Sequence, residues 1–217
     1  MTRHIPFSHY NPYVKNALNK VAVQTVAKTG QPVSWLSGWS KPTVNIGRDQ
    51  DPKQACDIAA IKEDGIALVR RQGGGGAVYL APGNEISWSL VTPSDHRPNT
   101  IKAIHQDVSN TIIQGLDAIG IDAWHEPPND IVTHKGKVSG GTLRETKGVI
   151  YTGSTLLYDV DSDAMFRYLD PDTTKYKAKG YEDVTERVTS MKALTDTSFK
   201  AAREAVETTI LDKTGFS

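Results

Sequence analysis

The chain has almost no cysteine: Cys56 is the only one in 217 residues. One thiol closes no internal disulfide and supplies no cysteine-based zinc site. An excess of one charge is also missing, since 25 Lys+Arg balance 25 Asp+Glu. A nucleic-acid binder usually carries a basic surplus for the phosphates, so nucleic acid is disfavoured as a partner. No stretch approaches the roughly 18 consecutive apolar residues of a membrane span. The opening MTRHIPFSHYNPYV lacks the apolar region of a cleaved secretory signal. With 38% hydrophobic residues, the length suffices for one sizeable core, or for a large domain with a small one. These absences predict a soluble, cytoplasmic, globular protein with no membrane partner.

Several elements can be read from periodicity. Val14, Leu18, Val21 and Val26 predict a helix over 12–28 that Gly30 and Pro32 end. PVSWLSG and PTVNIG read as a strand pair, and the stretch after Asp51-Pro52 as one short helix closing at Asp64-Gly65. GIALVRR is a β-rich run. EISWSLV alternates Ile86, Trp88 and Leu90 against Ser87 and Ser89, the pattern of a half-buried strand. The clearest helix is 100–119, where Ile101, Ile104, Val108, Ile112, Leu116 and Ile119 recur by threes and fours. Asn99 or Thr100 is its cap and Gly120 its stop. IDAWH and NDIVTHKGKVSG predict strands with a turn at His134-Lys135-Gly136, and VIYTGSTLLYDV another strand. DAMFRYL is a short helix, 171–183 a polar loop, and 197–212 a final amphipathic helix. Hairpin-length connections outnumber βαβ units, which predicts an α+β domain with a mixed, largely antiparallel sheet flanked by helices.

The most unusual segment is Arg70-Arg71-Gln72-Gly73-Gly74-Gly75-Gly76-Ala77-Val78-Tyr79. Four consecutive glycines lose much entropy on ordering, and here they sit between β-rich runs, after two arginines, rather than in a polar linker. They predict a loop whose bare backbone approaches a ligand with N–H groups aimed at an anion. No Walker or Rossmann spacing fits, and neither HExxH nor G-x-S-x-G occurs. The six histidines show no ligand spacing. A second polar cluster joins Asn129-Asp130-Ile131 to Gly136-Lys137-Val138-Ser139-Gly140-Gly141. Alone it reads as an ordinary hairpin with a solvated lysine. Beside the arginines and the glycine loop it implies an anion site, with Lys137 a point charge, Arg70 a fork, and Asp130 a metal or ribose contact.

Four segments, in order, carry a resemblance. RRQGGGGAVYLAPGN resembles the RRxxGGGAVYHDxGN signature of lipoate–protein ligases, within the biotin/lipoate ligase and octanoyltransferase superfamily. NIGRDQDP is similar to that family's IGRxQNP segment, and NDIVTHKGKVSGGTLRET to its NDI…GRKVSGSAxRE segment. KYKAKGYEDVTERVTSM resembles its KxAAKGxxSVxxRVTNL stretch. The resemblance implies a class-II-synthetase-like domain, with residues 1–217 as a single catalytic (large) domain. It also implies a two-step reaction: lipoate and ATP give lipoyl-adenylate and pyrophosphate with Mg²⁺, and a lysine of a lipoyl-domain acceptor protein then displaces AMP. Lys137 matches the catalytic lysine. Gly74, Gly75 and Gly76 would line the acyl-adenylate, with Arg70 near its polar end, and Asn129 and Asp130 on its adenylate and metal side. Ala77, Val78, Tyr79, Gly83, Asn84, Ser139 and Gly140 fall in the same binding motifs, with Val78 and Ile86 bordering an aliphatic tunnel.

Three departures bear on this. Leu80-Ala81 stands where the family has His-Asp, and Gly153-Ser154-Thr155-Leu156-Leu157 stands where it has HGTLL. Ser217 falls where single-chain relatives begin an accessory C-terminal domain, so the resemblance implies that domain as a separate subunit. Three rival functions compete with this one: a lipoyl or octanoyl transferase acting without ATP, a biotin ligase, and a non-enzymatic adaptor. The first needs a nucleophilic thiolate, and Cys56 reads better as a half-buried small hydrophobe. A biotin ligase carries a basic GRGRxGR-type loop that GGGGAVYL does not match.

Overall fold

A computed structural model describes residues 3–170 and 187–214. Seven strands form one sheet in the order β1 (Arg3–Tyr10), β2 (Val33–Trp39), β6 (Glu85–Pro93), β10 (Val149–Leu157), β9 (Gly136–Thr146), β8 (Asp130–Thr133) and β7 (Trp124–Glu126). β1 runs parallel to β2, and the other neighbours are antiparallel. A smaller sheet has the order β4 (Ala67–Arg70), β3 (Thr43–Ile46), β5 (Val78–Leu80), with β3 parallel to β4 and antiparallel to β5. This is the mixed, largely antiparallel α+β architecture that the connection lengths predict.

One face of the large sheet is filled by helices. α4 (Ile101–Asp117) begins where the Thr100 hydroxyl accepts from the Ala103 N–H, and it buries Ile104, Val108, Ile112 and Leu116. α6 (Phe199–Thr214) packs beside it through Ala202, Val206 and Ile210. Gly115 permits that approach, because a Cβ there would lie 3.0 Å from the Val206 Cα. Ile86, Trp88, Leu90, Ile131, Val138 and Leu156 meet these helices from the sheet.

The opposite face changes character along β6. At one end α1 (Pro12–Thr29) lays Ala22, Val23 and Val26 on Val33, Trp35, Val91, Val149 and Tyr151. α1 starts at an Asn11 cap and ends at Gly30, whose φ of 67° is left-handed and whose N–H reaches the Val26 carbonyl. Towards the start of β6 the same face becomes Ser89, Ser87 and Glu85. The small sheet packs on α2 (Pro52–Ala55), α3 (Ile58–Glu63) and α5 (Ser162–Tyr168), with Val44, Ile46, Ile61 and Tyr168 inside.

Several expectations need correction. β2 and β3 do not pair with each other; they belong to different sheets. β6 is not half-buried, since Ser87 and Ser89 are 7% and 5% exposed and so are covered as well. The helix expected over 52–64 is two helices broken at Cys56-Asp57, with Asp51 and Asp57 each capping one. β1 was not read from the sequence at all. The polar loop expected at 171–183 lies outside the described residues. Among the described residues, no helix is long and apolar enough to cross a membrane.

Candidate active site

Lys137 owes its position to one surplus residue. Asp130 pairs with Gly140 and Ile131 with Ser139, but Val132 pairs with Lys137, so Val138 is an extra residue in β9. Strict alternation would put residues 137 and 140 on opposite faces; the bulge returns Lys137 to the face of Gly140 and Asp130. There the ammonium lies 2.6 Å from Asp130 Oδ1, with the lysine side chain 25% exposed. Gly140 lies beneath it, and a Cβ at that position would be 2.8 Å from Nζ. Arg187 donates to the other carboxylate oxygen, Oδ2, at 2.6 Å. The Thr189 N–H bonds the Lys137 carbonyl at 2.8 Å and ties the two segments together. Two cations thus share one carboxylate, and positive charge remains for an anionic ligand.

The glycine loop sits next to this group. Thr142 is the next residue on the same face of β9 after Gly140, about 7 Å along the strand. Its hydroxyl donates to the Gly74 carbonyl at 3.3 Å, and a Cβ on Gly73 would fall 2.0 Å from that hydroxyl. Arg71 shapes the loop from within. Its guanidinium donates to the Gly74 carbonyl at 2.8 and 3.1 Å, to Gly76 at 2.7 Å and to Asn45 at 2.8 Å. Burial pushes the Arg71 pKa below its ordinary value. Gly47 packs against the loop, where a Cβ would lie 2.0 Å from the Gly75 carbonyl, and Gly75 has a φ of 94°. Cβ atoms on Gly74 or Gly76 would meet nothing within 4 Å. The four glycines therefore serve different ends: two allow close packing or a left-handed turn, and two leave space.

The sequence-predicted residues do not all converge. Lys137, Asp130 and Gly140 touch one another, Gly74 is tied to the same strand through Thr142, and Asn129 donates to the Gly141 carbonyl and accepts from the Gly141 N–H. Ser139 is corrected: it pairs with Ile131 and Leu156 on the helix-covered face, 1% exposed, its hydroxyl without a hydrogen-bond partner among the described residues. Arg70 turns from the loop, with Nη1 within 3.0 Å of the carbonyls of Gly47, Arg48 and Gln50. Ala77 and Tyr79 pack on the small sheet's own core, and Val78 on Trp39, Val69 and Leu80. Leu80, which replaces the family histidine, is buried in that cluster. Gly83, with a φ of 79°, and Asn84 form the turn into β6, where the Asn84 carbonyl accepts from the Tyr158 and Asp159 N–H groups. Ile86 points into the helix-covered core, not into a tunnel.

Asp130 does not fit a protein-held Mg²⁺, because both its oxygens already face cations. Among the described residues no group of three or more His, Cys, Asp or Glu could hold a metal. Cys56 is buried among Val44, Ile46 and Tyr168. Burial, and then Asp170, push its thiol up to about 11, so it supplies little thiolate near neutral pH. Arg71, Thr142 and Arg187 were not singled out. Arg187 lies within the quoted VTERVTS stretch, but its partner is 57 residues away.

A mixed, largely antiparallel sheet flanked by helices, with a smaller sheet carrying the glycine loop, is the α+β fold of the class-II-synthetase-like ligases. The chain belongs to the lipoyl protein ligase A/B catalytic domain family, whose model matches residues 11–212. It is 35% identical over 191 residues to lipoate-protein ligase A of Blochmanniella pennsylvanica (strain BPEN), covering 85% of this chain and 53% of that protein. The chain thus spans about half the length of that curated relative. Among solved structures it resembles a bi-partite lipoate protein ligase from Thermoplasma acidophilum, studied with its E2 lipoyl domain, at a TM-score of 0.82 and 22% identity over 99% of this chain and 84% of that one. It also resembles a lipoate-protein ligase A bound with ATP, at 0.83 and 22% over 99% and 85%.

Proposed function

We propose that this chain is the catalytic large domain of a lipoate–protein ligase, one unit spanning 1–217 that works in the cytoplasm. In the first step a lipoate carboxylate oxygen attacks the α-phosphorus of ATP and the P–O bond to pyrophosphate breaks. In the second, the amine of a lysine on a lipoyl-domain acceptor attacks the acyl carbonyl, loses a proton, and expels AMP. Both steps gather negative charge at the phosphoryl and acyl oxygens. The observation that carries the reading is Lys137, which the bulge turns to the sheet face of Thr142, whose hydroxyl holds the glycine loop. Its ammonium supplies positive charge there, and Asp130 with Arg187 holds its direction.

No step is assigned to Mg²⁺ at Asp130, since that carboxylate is already shared between two cations. A cysteine-dependent transfer without ATP finds no support in the buried Cys56. Full activity is proposed to need a separate accessory subunit; the bi-partite relative supports that part. Lipoate-dependent exchange of pyrophosphate into ATP tests the whole, run on this chain alone and with an accessory domain. Exchange that persists at near-normal rate in Lys137→Ala rejects the assigned role, and full exchange by the chain alone rejects the accessory subunit.

A further inference from the structure

The glycine loop is fastened to the large sheet at two points. Beyond the bulge, β9 turns Gly140, Thr142 and Arg144 to one face in succession. Thr142 Oγ1 donates to the Gly74 carbonyl at 3.3 Å, and Arg144 Nη1 donates to Gln72 Oε1 at 3.1 Å. The loop thus runs beside the strand that carries Lys137. From the small sheet, just past β3, the Arg48 N–H donates to the Gly73 carbonyl at 2.9 Å.

Holding the carbonyls sets where the N–H groups point. In a planar trans peptide the N–H lies opposite the C=O that precedes it. The Gly74 carbonyl accepts from Thr142 and twice from Arg71, so the Gly75 N–H is turned away from both residues. Arg71 holds the Gly76 carbonyl too, which turns the Ala77 N–H away in the same manner. Among the described residues no backbone group accepts from the N–H of Gly74, Gly75 or Gly76. Gly75 and Gly76 are exposed.

Thr142 also takes the room of a side chain that is missing opposite it. A Cβ on Gly73 would lie 2.0 Å from Thr142 Oγ1 and 2.9 Å from both its Cβ and its Cγ2. Positions 73 and 142 therefore share one side-chain volume, and here threonine fills it. The ligase segment that Lys137–Glu145 resembles has alanine at the place of Thr142, and a methyl group cannot donate.

We infer that Thr142 is a positioning residue: its hydroxyl sets the glycine loop so that the Gly75 N–H is offered to an anionic ligand before that ligand arrives. The inference rests on the lipoate-ligase reading, in which the ligand is an acyl-adenylate, and gives the order of its loop to one side chain. Consecutive glycines have the most backbone entropy to lose. A loop ordered in advance does not take that loss out of the binding free energy. Arg71 belongs to the loop's own stem; Thr142 is the donor to Gly74 that comes from the large sheet.

A non-hydrolysable lipoyl-adenylate analogue is titrated calorimetrically into the full chain and its variants, and melting temperature is read beside affinity. Thr142→Val keeps the shape and removes the donor. It should weaken binding about five- to tenfold, the value of one hydrogen bond. Its melting temperature should stay near wild type, because Arg71 still donates to the Gly74 carbonyl. Thr142→Ser, which keeps the hydroxyl, should bind within about twofold of wild type. Gly73→Ala should lower the melting temperature, and adding Thr142→Ala should restore it without restoring affinity. In pyrophosphate exchange with the accessory domain present, the Thr142→Val loss should fall on KM for lipoate and leave kcat within about twofold.

Equal affinity of Thr142→Val and wild type overturns the inference and leaves the ligase reading intact. So does a loss in Thr142→Ser as large as in Thr142→Val, which would make volume and not the hydroxyl decisive. A strongly lowered melting temperature in Thr142→Val, or wild-type affinity in Gly73→Ala/Thr142→Ala, overturns it as well. Failure of the wild-type chain to bind the analogue overturns the ligase reading and the inference with it.

Discussion

The two faces of β6 were made from one strand and do opposite work. Ile86, Trp88 and Leu90 lock into α4 and α6, while Glu85, Ser87 and Ser89 line a polar interior on the other side. Both sides are buried, so burial alone does not tell packing from ligand space. Side-chain size does. On the helix side large residues interdigitate with Ile112, Leu116 and Val206. On the other side, serine, threonine and glycine leave the layer thin wherever α1 does not fill it. The lesson is that alternation along a strand can mark a core and a cleft back to back.

Substitutions on each face break or sharpen this contrast. The largest effect is expected on the cleft side: Lys137→Ala should lower pyrophosphate exchange by about 10²–10³-fold, as removal of one stabilising donor does. Its melting temperature should stay near wild type, because Asp130 retains Arg187; a strongly lowered one would make Lys137 a structural residue. Next comes Leu156→Ala on the helix side, fully buried, which should destabilise by about 2–5 kcal/mol in urea unfolding. Affinity for an acyl-adenylate analogue should not change, and a parallel loss of affinity would erase the distinction between the faces.

Smaller effects separate the glycines. Gly73→Ala puts a methyl group on Thr142 and should cost about 1–3 kcal/mol of stability. Gly74→Ala meets nothing within 4 Å, so its stability should stay within about 1 kcal/mol of wild type while nucleotide binding weakens. Equal destabilisation by both would show that the open space near Gly74 is filled. The smallest effect lies away from both faces, at the α3–α5 contact. There Arg167, then Tyr168, holds the Asp64 carboxyl below its ordinary 3.8. A depressed carboxylate contributes stability above its unfolded pKa and loses it as pH falls through the folded one. Asp64→Asn should therefore lower stability slightly at neutral pH and flatten the acid limb below pH 3.8, where the two proteins converge.

Much of the scaffold was legible because it repeats locally. The apolar stripe of α4 and its Thr100 cap need only the sequence nearby, and so does the alternation of β6. What covers the serine side is a tertiary fact that no alternation reports. The separation of β2 from β3 escaped for the same reason, since two adjacent β-rich runs read as a hairpin until a second sheet is known. The site divided similarly. Glycines, Lys137 and Asp130 stood out by composition and by resemblance. Arg70 and Arg71 are indistinguishable in the sequence, yet only Arg71 folds into the loop. The Lys15–Glu85 contact spans 70 residues and α1 looked merely amphipathic, so nothing local marked it.

The surplus Val138 carries a consequence for how this hairpin can evolve. Strand register here, and not only residue identity, places the charge. Flattening the bulge at unchanged length, so that all residues from Lys137 to Gly140 alternate strictly, would turn the ammonium through the sheet into oil, although every side chain of the motif survived. Changes at the His134-Lys135 tip leave that bulge in place, whereas a change at Val138 that restores regular pairing moves the charge to the other face.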